Sequence, residues 1–157
     1  MNDQQLPELT IVRVLKASRE RVWKAWTDPK ELQAWWGPRG VTNATCEFDA
    51  RPQGAIHIGM LAGAELGAFA GQEWPMTGTV VELDAPKKLV FSSTAIIDGK
   101  PILEHTATMT LEEEGEKTKM TLHIQVTRVT PEAAGPLMGM EAGWTQSIDK
   151  LEEFVTG

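Results

Sequence analysis

A long amphipathic pattern near the C-terminus limits the architectures open to this chain. From residue 137 onward a mostly apolar series recurs every three or four positions, and its members are Leu137, Glu141, Trp144, Ile148, Leu151 and Val155. This spacing predicts one helix over residues 136–155 with a single apolar side. Such a helix is about 30 Å long, whereas a chain of this length has a radius of gyration of about 15 Å. We therefore expect the helix to pack along a sheet.

The segments before this helix favour strands. Alternating apolar and polar residues, many of them β-branched, predict seven strands at residues 9–16, 41–50, 55–61, 76–83, 88–94, 102–112 and 118–128. In the second strand the predicted inner face holds Ala44, Cys46, Phe48 and Ala50. The last strand alternates most strictly, with Met120, Leu122, Ile124 and Val126 on one face. The short Glu114-Gly115 connection requires antiparallel neighbours.

Two short helices are predicted between the first and second strands. Ser18 is a suitable N-cap for the first helix. Asp28 can cap the second, Pro29 fits its first position, and Glu31 is placed to complete a capping box. Gly37 and the proline after it should end this helix.

Size and charge exclude several classes of protein. The chain has 157 residues, so we expect a single domain over residues 1–157. Its formal charge of -7 repels phosphate backbones and anionic lipid, and we therefore expect no nucleic-acid or membrane partner. There is no membrane-length apolar run and no secretion signal, which favours the cytoplasm. Cys46 is the only cysteine, so no internal disulfide can form.

Three stretches of sequence carry a resemblance to a known family. They are WTDPKELQAWWGPRG at residues 26–40, GTVVELDAPKKLVF at 78–91 and GMEAGWTQSIDKLEEF at 139–154. With the order of elements, they resemble the START-like helix-grip superfamily. More narrowly, they resemble the bacterial proteins similar to the C-terminal domain of the activator of Hsp90 ATPase. The resemblance implies an α+β helix-grip fold. In that fold the predicted strands, about seven in number, form a curved antiparallel sheet, with two short helices after the first strand. The long C-terminal helix packs on this sheet.

The same resemblance implies a cavity between the sheet and the long helix that receives small apolar molecules. Methionine fills irregular space, so the many methionines suit a loosely selective pocket, although they could equally plug a solid core. Trp35 and Trp36 are about 100° apart on a helix, so one of them should border the cavity mouth. The predicted binding residues are Trp35, Trp36, Phe48, Met60, Met76, Phe91, His105, Met109, Met120, Met138, Glu141 and Trp144.

Two of these residues could carry chemistry. His105 shares a strand face with Ala107 and Met109, so it should point inward, either as a hydrogen-bonded core residue or as an acid or base. Glu141 is the only charged member of the helical series. It should either meet a polar ligand group in the cavity or lie at the rim near a helix N-terminus.

Three functions are compatible with these patterns. The leading one is binding of a small hydrophobic or amphipathic molecule. The second is an enzyme resembling polyketide cyclases, with His105 and Glu141 as catalytic acid and base. The third is a chaperone-regulating interaction module, which only the family name suggests. We expect no metal and no cofactor, because the three histidines and Cys46 lack ligand spacing and no cofactor motif is present. A homodimer through exposed sheet or loop surfaces is compatible with the sequence.

Overall fold

A computed structural model describes residues 6–97, 99–131 and 140–156. The strands are β1 (Glu8–Leu15), β2 (Val41–Phe48), β3 (Ala55–Ala62), β4 (Glu73–Asp84), β5 (Lys88–Ile97), β6 (Lys100–Glu114) and β7 (Lys117–Val129). The helices are α1 (Arg19–Thr27), α2 (Pro29–Trp35) and α3 (Met140–Thr156), and a short 3-10 segment spans Ala64–Phe69. The part of the predicted C-terminal helix at residues 136–139 lies outside the described residues.

All seven strands form one antiparallel sheet in the order β1-β7-β6-β5-β4-β3-β2. The predicted α+β helix-grip architecture is confirmed. Helix α3 is fixed to the edge strand β1, where Arg13 pairs with Asp149 at 2.7 Å and with Glu152 at 3.0 Å. The long helix therefore lies against the sheet, as its single apolar side requires.

The two short helices begin at the predicted caps. Ser18 Oγ accepts a hydrogen bond from the Arg21 backbone N–H at 3.1 Å, and Asp28 Oδ1 accepts one from the Lys30 N–H at 2.9 Å. The predicted capping-box role of Glu31 is replaced by ion pairs with Arg21 and with Lys24. These ion pairs tie the second helix to the first.

The inner face of β2 differs from the prediction. A bulge between Asn43 and Thr45 shifts the alternation by one residue, so Ala44 is exposed and Asn43 is buried in its place. Farther along the strand, Phe48 is buried as predicted. Period-two reasoning fails here because a bulge adds one residue to one strand only.

A solid core fills the space between the sheet and the helices. Trp26 and Trp35 pack edge to face with ring centroids 4.9 Å apart, and Trp26 also contacts Phe91. Helix α3 contributes its second half to this core, through Ile148, Leu151 and Val155. Burying a large apolar side chain of this kind stabilises a fold by about 1.5 to 3 kcal/mol. The first half of α3 lies over the end of the sheet where β4 and β6 begin.

Candidate functional site: a cavity between the sheet and helix α3

A cavity of about 590 Å³, partly open to solvent, lies where β3 and β5 end and where β4 and β6 begin. Its sheet side is formed mainly by Met60, Met76, Ser93, Ala95, Ile102 and His105. Its other side is formed by the first turns of α3 and by the loop between α2 and β2. The cavity thus lies between the sheet and α3, next to the solid core.

Two small residues on the inner face of α3 leave room for the cavity. Gly143 and Ser147 are one helical turn apart and both line the cavity. A Cβ added to Gly143 would have no atom within 4 Å. Across from them, the sheet presents the small side chains of Ser93 and Ala95. Facing positions with small residues leave space that a packed interior would otherwise fill.

The two adjacent tryptophans diverge. Trp36 lines the cavity and packs edge to face on Trp144, with ring centroids 5.4 Å apart. Its backbone carbonyl accepts a hydrogen bond from Asn43 Nδ2 at 2.9 Å, which fixes this wall to β2. One of the pair therefore borders the cavity, as the angle between neighbouring helical positions predicts.

Trp35 has a structural role in the core. Its Nε1 donates a hydrogen bond to the Ala25 carbonyl at 2.9 Å. In an uninterrupted helix that carbonyl would accept from the residue four positions later, but this residue is Pro29, which has no N–H. The indole therefore supplies the donor that proline removes at the junction between α1 and α2.

The loop that carries Trp36 is held against α3. Lys150 Nζ donates to the Gly37 carbonyl at 3.1 Å and to the Pro38 carbonyl at 3.5 Å. Desolvation by burial, followed by the nearby Arg39 charge, lowers the pKa of Lys150. Arg39 also pairs with Glu153 on α3. These contacts close the cavity on the side of the loop.

His105 is the most unusual polar residue in the wall. Its ring lies edge to face with Trp144 at a centroid distance of 5.9 Å. Nε2 is buried and has no hydrogen-bond partner among the described residues. Burial lowers the pKa of His105 to about 4, so the imidazole is neutral at pH 7. The inward orientation agrees with the sequence, but the hydrogen bond expected for a buried histidine is not formed by Nε2.

The structure divides the predicted binding residues into two groups. Five of them line the cavity, namely Trp36, Met60, Met76, His105 and Trp144. Five others do not line the cavity and lie in the solid core instead, namely Trp35, Phe48, Phe91, Met109 and Met120. Alternation along a strand identifies the face that points inward. It does not show whether the side chains on that face pack against other side chains or line a cavity.

Glu141 and Met138 complete the predicted set. Glu141 is exposed, lies in the first turn of α3 and does not belong to the described cavity wall, which agrees with the second of its two predicted placements, at the rim near a helix N-terminus, and not with the first. It follows Met140, which does line the cavity, and adjacent helical positions are about 100° apart. Glu141 therefore lies at the edge of the inner stripe of α3 and faces water. Met138 lies outside the described residues.

Several wall residues were missed by the sequence reasoning. Ser93, Gly143 and Ser147 line the cavity, and so does the 72–76 segment through Gln72, Trp74 and Pro75. The spacing of Gly143 and Ser147 on the inner side of an otherwise apolar helix was the available signal. Methionine content was a weaker one.

The described part of the wall carries no aspartate, glutamate, lysine or arginine side chain. Within the same described residues, no group of three or more His, Cys, Asp or Glu side chains is placed to hold a metal ion. Burial also raises the pKa of the Cys46 thiol to about 11, which keeps it protonated and unreactive at neutral pH. The chemistry available to the cavity is therefore apolar contact with a few neutral hydrogen-bonding groups.

Comparison with known proteins agrees with this architecture. Residues 16–156 match the family model described as Activator of Hsp90 ATPase homolog 1-like protein. The chain belongs to this family. No curated protein matches the chain at a significant level. Among the described residues, no helix is long and apolar enough to cross a membrane.

Solved structures share the fold of this family member over nearly its full length. A protein of Chromobacterium violaceum is 27% identical, with a TM-score of 0.82 over 96% of this chain and 97% of that chain. A protein of Nitrosomonas europaea is 25% identical, with a TM-score of 0.78 over 99% of this chain and 97% of that one. A Silicibacter pomeroyi protein described as AHSA1 is 21% identical, with a TM-score of 0.78 over 96% and 98% of the two chains, and shows the fold alone.

Proposed function

We propose that this protein binds a small, mainly apolar molecule in the cavity between the sheet and α3. The observation that carries the proposal is the gap beside Gly143, where a Cβ would touch nothing within 4 Å. Apolar surface that lines an open cavity forgoes the stabilisation that burial against other side chains would give. Gly143 and Ser147 leave this space open, although larger side chains at these two positions could fill part of it. The chain therefore keeps the cavity at the expense of stability.

The size and lining of the cavity support the same function. About 590 Å³ falls within the roughly 300 to 1,000 Å³ of pockets for small molecules. The wall combines Met60, Met76 and Met140 with the rings of Trp36 and Trp144. Methionine side chains adapt to ligands of different shape, so we expect tolerance of the ligand's apolar part.

A pair of variants at Gly143 tests the proposal. N-phenylnaphthylamine, an uncharged dye that fluoresces in apolar surroundings, should bind the wild-type protein and quench tryptophan emission. Gly143→Leu should place a branched side chain in the cavity and strongly weaken dye binding while the protein stays folded. Gly143→Ala is the matched control, because it adds one methyl group and should keep most of the affinity. Equal dye affinity in all three proteins would contradict the proposal.

The enzymatic alternative depended on His105 and Glu141 acting in one cavity. Because Glu141 is exposed and lies outside the wall, that pairing has no geometric support. The role as a chaperone-regulating module stays a prediction from the family description alone.

A further inference from the structure

We propose that the cavity selects an uncharged ligand with an apolar body and one hydroxyl group, and that Nε2 of His105 is the hydrogen-bond partner of that hydroxyl. The inference rests on the proposed function, because it specifies the ligand of the same cavity. It makes His105 the residue that determines specificity.

The described part of the wall carries no charged side chain. Within its described part, the polar side chains are Gln72, Ser93, His105 and Ser147, together with the indole N–H of Trp74. None of these carries a charge at neutral pH. A carboxylate, phosphate or ammonium group would lose its water here without gaining an opposite charge, which is strongly unfavourable. A neutral ligand avoids this cost.

One histidine nitrogen in the wall lacks a hydrogen-bond partner among the described residues. Nε2 of His105 is buried, and no described residue hydrogen-bonds to it. Buried polar atoms in folded proteins are almost always paired, so an exception needs an explanation. The ring of Trp144 lies edge to face with the imidazole at 5.9 Å, and such a contact to an aromatic ring is weaker than a normal hydrogen bond. Because the two rings are in contact, a ligand hydroxyl would reach Nε2 by displacing the edge of this contact, and it would then supply the missing partner.

The chemistry of a neutral imidazole favours a hydroxyl group as its partner. A neutral imidazole has one nitrogen that donates and one that accepts. A hydroxyl both donates and accepts, so it can pair with Nε2 in either tautomer, whereas a carbonyl or ether oxygen can pair only with a donor.

Two serines extend the same polar spot. Ser93 is buried and lies directly opposite His105 in the β5–β6 register, so the two side chains are close neighbours on one face. Ser147 Oγ donates its proton to the Gly143 carbonyl at 2.9 Å and keeps its lone pairs available. Gln72, the other polar side chain of the described wall, is exposed and accepts a hydrogen bond from Trp74 Nε1, so the buried part of that wall offers this one place for a polar ligand group.

The test compares three probes of similar shape as competitors of N-phenylnaphthylamine. They are naphthol, methylnaphthalene and naphthoate, which carry a hydroxyl, a methyl group and a carboxylate. At pH 7 naphthol should bind about tenfold more tightly than methylnaphthalene, the effect expected for one added hydrogen bond. Naphthoate should bind more weakly than either neutral probe. Equal affinity for naphthol and methylnaphthalene, or a preference for naphthoate, would overturn the inference.

His105→Phe assigns the effect to the ring nitrogen. This variant keeps a planar ring and removes both nitrogens, so methylnaphthalene affinity should persist while the preference for naphthol disappears. A retained preference would show that His105 is not the partner. The ring nitrogen resonances of His105 in the wild-type protein give a second readout that needs no variant, because naphthol should shift them and methylnaphthalene should shift them much less. Failure of every probe and of the dye to bind would instead refute the proposed function.

Discussion

His105 on β6 and Trp144 on α3 bring the sheet and the helix together at the cavity, with ring centroids 5.9 Å apart and an interplanar angle of 84°. Neither side chain fills the space beside this contact. Trp144 continues the aromatic wall to Trp36, whereas His105 contributes a neutral nitrogen without a partner among the described residues. The proposed function depends on this contrast between a large apolar wall and one buried polar group at His105.

The buried imidazole should make stability depend on pH. Burial lowers the pKa of His105 from 6.5 to about 4, so the unfolded chain binds a proton that the folded protein rejects. The free energy of unfolding should therefore be unaffected by this group above about pH 6.5 and fall as the pH drops towards 4. The loss should reach on the order of 3 kcal/mol. Denaturant titrations of the wild-type protein and of His105→Phe between pH 7 and pH 4 would measure it.

The variant separates His105 from the carboxylates that also titrate at low pH. His105→Phe should lose less stability than the wild-type protein over this pH range, since the carboxylates are common to both. His57→Gln is the matched control, because His57 lies exposed on β3. Parallel stability curves for the wild-type protein and His105→Phe would contradict the burial of the His105 ring.

The adjacent tryptophans should respond differently to the same substitution. Trp35→Phe removes the hydrogen bond to the Ala25 carbonyl and should lower the free energy of unfolding by about 1 to 3 kcal/mol, because that buried carbonyl has no N–H from Pro29. Trp36→Phe should cost less stability but reduce quenching by a dye in the cavity. Denaturation midpoints and dye titrations of both variants check this division. Dye binding that depends on Trp35 rather than on Trp36 would place the ligand elsewhere.

Lys150 should stabilise the loop that forms one cavity wall. Lys150→Met keeps much of the side-chain volume but removes the donor to the Gly37 and Pro38 carbonyls. We expect the free energy of unfolding to fall by about 1 kcal/mol. This value is at the low end for a hydrogen bond from a charged donor, because the lysine is only half-buried. Dye affinity should also fall. Lys30→Met, at an exposed position on α2, is the control, and equal effects of the two changes would remove the anchoring role.

Features that depend on local chemistry could be predicted from the sequence. Ser18 and Asp28 cap the helices where their side chains and the neighbouring Pro29 indicated. The strict alternation of β7 also identified its buried face, from Met120 to Val126. In these segments the conformation that each residue favours locally is also the one that the fold requires. Prediction from sequence works under that condition.

Features that depend on what lies opposite a residue could not be predicted. Met60 and Met109 are both methionines that face inward, yet only Met60 lines the cavity while Met109 is fully buried in the core. The difference arises from small side chains on another element, at Gly143 and Ser147. The two placements of Glu141 could not be separated for a related reason, because the surface against which a helix packs decides which side of it is central.

The methionine methyl groups provide the most direct test that a ligand occupies this cavity. Naphthol added to protein with isotope-labelled methionine methyls should shift the NMR signals of Met60, Met76 and Met140, since its ring current acts at short range and all three line the cavity. The signals of Met109 and Met120, which are fully buried in the core, should move little and serve as internal controls. Shifts confined to the core methionines, or no shift of the three cavity methionines at saturating naphthol, would contradict the account.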